Sequence, residues 1–499
     1  MKIIQKNKGV VFKMITYQDF LKKRGANISD LGAFLYETIT QHQASEEYQT
    51  AKDAEQYDMQ RNVTIRKLQK WLYTMKGAKI PDIISPNHKL CSNYFNRFTT
   101  QLVQYLLGNG VTFPEDGIKE KLGVDFDTQL QRAGEEAMIG GVAFGFWNYD
   151  RLKIFKLTEF VPLYDEENGR LRAGIRFWQL AADKPLRMTL YEEDGVTEYI
   201  RESKDSRVQF REYAAKKSYK QIVKSTPADG VEISDGGNYP GFPIVPLYAN
   251  KYHQSALMGM RENIDAYDLI KSGFANDLDG HMLYWLIQNA GGMDDVDVAR
   301  MIERIKTIGA AISTEEGTIE QKQINIPYES RIAYLDRIEQ DLYKDAGVMK
   351  VENITAGGTT ATQITASYTP QDMKANALEY QCITFIQSIL KLQGIESTPQ
   401  FKRDKIVNVQ EQTTTVLQAA NYLDDETILK KLPFITSDEI PQILKAKEKE
   451  EAERYVIAGD ISKGKGFNAE KAEGEDKDDK ENETKPENDK GKRKNGQAS

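Results

Sequence analysis

The residues whose types could do chemistry here are four histidines, a few aspartate pairs and one glycine-threonine loop. Their spacing argues against a reaction centre. His42, His88, His253 and His281 form no HExxH and no close pair at a metal-ligand interval, so solvent or interface packing is the default reading for each. Asp294-Asp295 and Asp424-Asp425 stand just before helical runs, where a carboxylate caps the first turn rather than holding one of two metal ions. A phosphate-cradling loop needs glycines that lead into Lys-Ser or Lys-Thr, and TAGGTTATQ at 355–363 has no lysine in place. No GxGxxG follows a clear strand, and Gly140-Gly141 reads as a helix stop followed by a strand start. Met258 and Met260 read as core or subunit-contact residues. No catalytic, metal or cofactor site is expected.

Composition narrows the class further. At 499 residues the chain is too long for one simple core, so about two to four structural units are expected. Apolar residues make up 40%, with 25 Tyr and 19 Phe, enough for real cores. Charged residues make up 28% and the net charge is -8, which disfavours a broad basic surface that grips nucleic acid. It leaves room for a protein past which a polyanion slides without being held. The two cysteines, Cys91 and Cys382, permit neither a CxxC metal site nor a disulfide framework. Buried thiols in a reducing cytoplasm are expected. The first twenty residues lack the apolar core of a signal peptide, and no run approaches a membrane span, so no membrane contact is expected.

The elements that would position functional residues follow from periodicity. Residues 1–60 read as polar helix, peripheral where charge dominates from Glu46 to Arg61. IRKLQKWLYTMK (65–76) reads as a short amphipathic helix, with a turn around Pro81 and Pro86. NYFNRFTTQLVQYLLGNG gives a helix stopped at Gly108, and 127–139 another. After Gly140, short runs rich in aromatic and β-branched residues are separated by Asn168-Gly169 and Asp194-Gly195, the pattern of antiparallel hairpins. The β region reaches Pro246, so 1–250 reads as one α+β domain.

From Met258 to Tyr380 the order is helix, small mixed insert, helix, loop, helix. Met260, Ile264, Tyr267, Ile270, Phe274 and Leu278 recur at steps of three and four and share one face, as do Ile332, Leu335, Ile338 and Leu342. Between them, HMLYWLIQNAGG continues or restarts a helix, DDVDVARMIERIKTIGA is a helix capped by Asp294 or Asp295, and TIEQKQINIP is a strand. A long helix covers 370–392, a compact helical end region follows, and the charged segment after Lys463 is disordered by composition. An apolar stripe of this length needs a covering surface, either in part from a neighbouring copy or wholly from the chain's own core.

This ordering resembles the Gp6-like portal family of tailed phages of Gram-positive hosts. The likeness lies in RNVTIRKLQKWLYTMKG, in NYFNRFTTQLVQYLLGNGVTF, in GGVAFGFWNYD through TLYEEDGVTEYI, in PIVPLYAN with RENIDAYDLIKSGFANDL, and in RIAYLDRIEQDLYKDAGV, over roughly 60–450. One departure is GGTTATQITASY after Gly347, where the family more often has Ser-Gly-x-Ala-Leu.

The resemblance implies an α+β portal fold and a homo-oligomeric ring of about twelve copies at one capsid vertex. It implies a wing at 1–250, stem helices at 251–278 and 328–345, a clip at 279–327 and a tunnel loop at 346–362. A long helix at 363–392, a helical crown at 393–455 and a disordered tail at 456–499 complete it. It implies non-specific passage of double-stranded DNA during packaging and ejection, and no enzymatic activity. Implied partners are the terminase large subunit, major capsid and scaffolding proteins, and a head-completion or adaptor protein, after assembly in the host cytoplasm and inclusion in the virion. The channel residues would be Lys344, Lys350, Glu352, Asn353, Thr355, Gly357, Gly358, Thr359 and Thr360. Acidic walls from Asp265, Asp268, Asp277, Asp279, Glu339 and Asp341 would keep DNA from being trapped, with the two lysines touching phosphates intermittently. Another structural head or adaptor protein, or a DNA-processing enzyme, are the rival classes.

Overall fold

The computed structural model describes residues 15–24, 31–73, 77–83, 85–202, 210–226, 230–280, 283–288, 294–308, 318–323, 327–350, 361–403, 409–432, 435 and 439–449. The chain divides into two units, Met1–Val407 and Asn408–Ser499. The expected tail at 456–499 lies outside the described residues.

The first unit opens with α1 (Tyr17–Arg24), α2 (Leu31–Ala44) and α3 (Glu46–Asp58). Charged as it is, α3 is not peripheral: Ala51, Ala54 and Tyr57 are at most 1% exposed, because small residues at steps of three let it approach α7 closely. Next come α4 (Val63–Lys67) and a hairpin of β1 (Trp71–Tyr73) with β2 (Lys79–Pro81). The helix expected over 65–76 therefore ends after five residues of α4, and the Lys79 ammonium sits 4.3 Å from the Trp71 ring across the hairpin. Cross-strand aromatic contact outweighs weak helical periodicity there.

Then follow α5 (Tyr94–Leu107), β3 (Val111–Thr112), α6 (Ile118–Leu122) and α7 (Phe126–Gly140). As the glycine pair indicated, Gly141 ends α7 in a left-handed conformation, φ 88°. Ten strands complete the segment: β4 (Val142–Asn148), β5 (Arg151–Lys156), β6 (Phe160–Tyr164), β7 (Leu171–Trp178), β8 (Leu186–Glu192), β9 (Gly195–Arg201), β10 (Arg211–Lys217), β11 (Gln221–Thr226), β12 (Gly230–Asp235) and β13 (Ile244–Tyr248). They make a five-stranded antiparallel meander, β10-β9-β8-β7-β6, a three-stranded sheet, β13-β4-β5, and the β11-β12 hairpin. Asn168-Gly169 lies in the turn between β6 and β7, and Asp194 in that between β8 and β9 with Gly195 opening β9, as their composition indicated.

The remainder of the unit is α8 (Arg261–Gly280), β14 (Leu283–Gln288), α9 (Asp295–Ile308), β15 (Thr318–Gln323), α10 (Tyr328–Ala346), α11 (Ala361–Leu392) and β16 (Gln400–Phe401). Within the run expected as helix, Leu283–Gln288 is instead a strand, pairing in antiparallel register with Thr318–Gln323. Five consecutive residues, Leu283 to Ile287, are aromatic, β-branched or leucine, and strand pairing uses them on a pleated surface. Asp294 caps α9, accepting from the Val296 and Asp297 amides at 2.9 Å. The long helix begins earlier than Pro370, at Ala361, and contains that proline at an exposed position.

The main core joins α5, α7 and α11 to the β13-β4-β5 sheet through Leu107, Leu130, Trp147, Leu247 and Phe385. Strand β4 is buried along six of its seven residues. A Cβ at Gly145 would stand 2.4 Å from the Phe385 ring, so only glycine lets α11 lie this close to the strand. A second core packs α1 and α2 on the meander through Phe20, Leu35, Leu163 and Ile175. A third, around Tyr57, Phe95, Phe98, Ile264 and Leu342, holds the roots of α8 and α10.

In the second unit, helices Val409–Gln418, Asp425–Lys431 and 440–449 are described, and Asp424 caps the second of them at 3.1 Å from the Thr427 amide.

Candidate functional site

The antiparallel pair α8 and α10, with the chain leaving α10 toward 351–360, is where the expected functional residues fall. Its root is apolar and internal. Met260 (6% exposed), Ile264 (0%), Ile338 (6%) and Leu342 (0%) pack with Phe95 and Phe98 of α5. Tyr267 meets the Tyr94 ring edge-on at 5.1 Å. Ile270, Phe274 and Leu335 are half-buried, whereas Ile332 is 46% exposed and Leu278 60%. The expected stripe is therefore an internal core at its base and an uncovered surface toward its far end.

Beyond Ile264 the buried face of α8 turns polar. Asp268 (0% exposed), Ser272 (1%) and Asn276 (9%) continue at steps of four. Along them runs an extended segment, 88–92, whose alternate backbone amides donate to this row. Ser92 N–H donates to Asp268 Oδ1 at 2.8 Å, Leu90 N–H to Ser272 Oγ at 2.9 Å and His88 N–H to Asn276 Oδ1 at 2.5 Å. The match is metrical: four helical residues rise about 6 Å and two extended residues about 6.6 Å. Backbone donors with no partner strand thereby find side-chain acceptors. Asn62 donates its amide to the other Asp268 oxygen and, at 3.1 Å, to the Ser92 carbonyl. Burial raises the Asp268 pKa, opposed by the Asn62 and Ser92 hydrogen bonds.

The other acids of α8 are also engaged within the chain. Asp265 accepts from Tyr57 and, at 2.7 Å, from Thr64. Burial, and then the bond to Asp265, push the Tyr57 phenol up to about 12. Asp277 pairs with Arg331 of α10, and Asp279 lies 3.0 Å from His88 Nε2. The expected acidic wall on α8 is thus corrected: Asp268 has no exposed surface, and Asp265 and Asp277 serve as bridges between elements. Periodicity of apolar residues could not reveal this. The available signal was Asp268, Ser272 and Asn276 at helical steps of four, together with a segment just after Pro86 that lacks a strand to pair with.

At the foot of α10, Gly347 takes φ 61° and ends the helix, and Lys374 Nζ donates to the Asp345 carbonyl at 2.6 Å. A cation at a helix C-terminus is favoured by the helix dipole. Burial lowers the Lys374 pKa, against the opposing pull of Asp345. Gln371 accepts from the Met349 amide at 3.2 Å and Gln101 donates to the Met349 carbonyl at 3.1 Å, which anchors the chain just past α10. Here a cleft of about 530 Å³ is lined by Tyr343, Lys344, Lys350, Ser367 and Pro370, among others. The Lys350 ammonium lies 3.3 Å from Glu339 and 5.6 Å from the Tyr343 ring. Lys344 is exposed, 3.7 Å from Asp341, which also takes Arg337 at 2.9 Å. The structure so brings the two expected lysines to one cleft. Glu352, Asn353, Thr355, Gly357, Gly358, Thr359 and Thr360 lie outside the described residues.

Among the described residues no three His, Cys, Asp or Glu side chains could hold a metal ion together. No described helix is long and apolar enough to cross a membrane. Cys382 is buried, with its thiol pushed up to about 12 by burial, while Cys91 is only partly covered, unlike the expected pair of buried thiols.

A sequence-family profile described as "Phage portal protein, SPP1 Gp6-like" matches residues 42–453. The portal protein of Clostridium phage phiCD119 is 23% identical over 398 residues, covering 73% of this chain and 85% of that one. The portal protein of Bacillus phage SPP1 is 23% identical over 429 residues, covering 79% and 82%. Among solved structures, a chain from the neck of a native gene transfer agent particle, computed with C12 symmetry, aligns with TM-score 0.36 and 10% identity over 68% of this chain and 89% of that one. A chain from the virion of the native particle gives TM-score 0.35 at 10% identity over 67% and 88%.

Proposed function

The chain belongs to the SPP1 Gp6-like family of phage portal proteins, and on that premise we propose that about twelve copies close into a ring at one capsid vertex. Double-stranded DNA enters the head through the axis of that ring and leaves by it at infection. In this reading 1–250 is the wing, α8 and α10 the stem, 279–327 the clip, 346–362 the tunnel loop, and 393–455 the crown. The clip takes the terminase large subunit during packaging and a head-completion protein afterwards. Capsid and scaffolding proteins meet the wing.

The observation that carries the reading is the division of the α8–α10 pair. Its root is closed by the chain's own α5, whereas Leu278 and Ile332 stay 60% and 46% exposed at the far end. A helical hairpin anchored at one end and bare at the other is completed by copies of itself. In a ring that contact is heterologous and closes.

Lys344 and Lys350 supply the phosphate contacts. Both have an acidic neighbour, Asp341 at 3.7 Å and Glu339 at 3.3 Å. A lysine so balanced touches a passing phosphate without holding it, whereas a bare cationic sleeve repeated around a ring would release many counterions and trap the duplex.

Electron microscopy of the purified protein tests the reading. End-on averages should be rings with an open axis and about twelve-fold symmetry. Monodisperse monomers or dimers across several salt and pH conditions would sink it.

A further inference from the structure

The β1-β2 hairpin has features that the portal reading leaves unused. It is a two-stranded sheet with only three residue pairs, and such a hairpin is marginal in water without something to pack on. Its apolar side chains are uncovered: Trp71 is 45% exposed, Leu72 38%, Ile80 44% and the adjoining Ile83 89%. Yet its base is firm. Asp82 N–H donates to the Lys70 carbonyl at 3.0 Å, Lys89 Nζ to the Arg66 carbonyl at 2.8 Å, and the chain then enters the row of hydrogen bonds along α8. A firm base beside exposed apolar strand residues is preorganised for a partner, since little ordering is left to oppose binding.

Charge indicates which partner. Residues 61–90 carry seven basic residues and one acidic, Asp82, in a chain of net charge -8. Arg66 and Lys67 on α4 are exposed and have no ionic partner among the described residues. The complement lies on the outer side of α10, where Glu329, Ile332 and Asp336 follow at steps of three and four. All three are exposed, and neither acid has a cationic partner among the described residues.

We propose that this arm, α4 with the β1-β2 hairpin, docks on the α10 face of the neighbouring copy, setting Trp71 and Ile80 against Ile332, and Arg66 and Lys67 against Glu329 and Asp336. The proposal rests on the ring described above. It assigns the bare end of α10 a specific covering element and makes the arm a clasp between adjacent subunits.

The test uses the full chain. Arg66→Glu with Lys67→Glu should lower the assembled fraction at least tenfold at fixed concentration, read by native mass spectrometry, with the circular dichroism melt unchanged (on the order of a hot-spot loss). Adding Asp336→Lys should restore assembly. A photo-crosslinking amino acid placed at Trp71 should capture the 327–345 peptide of another copy. Rings that form unchanged with the reversed arm, or a crosslink to added DNA or within one chain, would overturn the clasp and leave the portal reading standing. If the wild-type protein closes no ring, the reading beneath it fails first.

Discussion

The Asp268 carboxylate accepts the Ser92 amide at 2.8 Å across a sequence separation of 176 residues. It is the first rung of a ladder in which a helix side-chain row serves an extended backbone the way a neighbouring strand would. The ladder fixes α8 to the segment leading into α5.

Replacing Asp268 by alanine leaves the Ser92 amide and the Asn62 side chain without this acceptor. Each buried donor so orphaned costs about 1–3 kcal/mol, and a loss of about 3 kcal/mol in unfolding free energy is expected. Denaturant titration measures it, and limited proteolysis should show new cleavage near 88–92. An unchanged midpoint would mean that the ladder contributes nothing.

Tyr57 is one of several phenols, with Tyr191 and Tyr199, that burial raises and that make stability fall at alkaline pH. The Tyr57 phenol is raised from 10.0 to about 12 by burial and by the hydrogen bond to Asp265. A group whose pKa is raised on folding keeps its full contribution below the unfolded value and loses it as pH climbs through the folded one. Stability should therefore hold below pH 10 and fall between pH 10 and about 12. In Tyr57→Phe that alkaline decline should be shallower, as followed by circular dichroism at fixed denaturant.

The two ends of the α8–α10 pair should separate folding from assembly. Ile264→Ala opens a cavity in the internal core and should cost about 2–4 kcal/mol of stability. Ile332→Asp, at a side chain 46% exposed, should leave the melt nearly unchanged and abolish rings. Calorimetry beside end-on microscopy distinguishes them. A large melt shift in Ile332→Asp would place that side chain in the monomer's own core.

Lys350→Ala should leave rings intact and reduce the DNA packaged per head in a reconstituted system, with a weaker dependence on salt than the wild type. Glu339→Gln frees the same ammonium from its neighbour at 3.3 Å and should slow DNA exit. Identical packaging and exit in both variants would remove Lys350 from the channel.

The cysteines should report on the fold separately. Cys382 is buried among α11 and its neighbours, with its thiol raised to about 12, and should resist a neutral thiol reagent until unfolding. Cys91 should react first. Equal rates would contradict the packing of α11.

Much of the architecture was legible along the chain. Glycine pairs and turn dipeptides located the end of α7 and the meander hairpins, because a left-handed residue or tight turn is a local demand that few residue types meet. The helices α8 and α10 on either side of a small insert were legible from their apolar steps of three and four. The root of the α8–α10 pair announced itself through Ile264, Ile338 and Leu342, since apolar burial leaves a period. What periodicity cannot carry is a partner far away in sequence. Leu283–Gln288 reads as helix until Thr318–Gln323 lies beside it, and Asp268 reads as a solvent-facing acid until Ser92 is brought to it. Sequence alone thus determined the family, the helices α8 and α10 and their apolar root. The tertiary structure decided which polar residues are buried and which apolar ones stay bare, because both depend on a surface that another part of the fold, or another copy, provides.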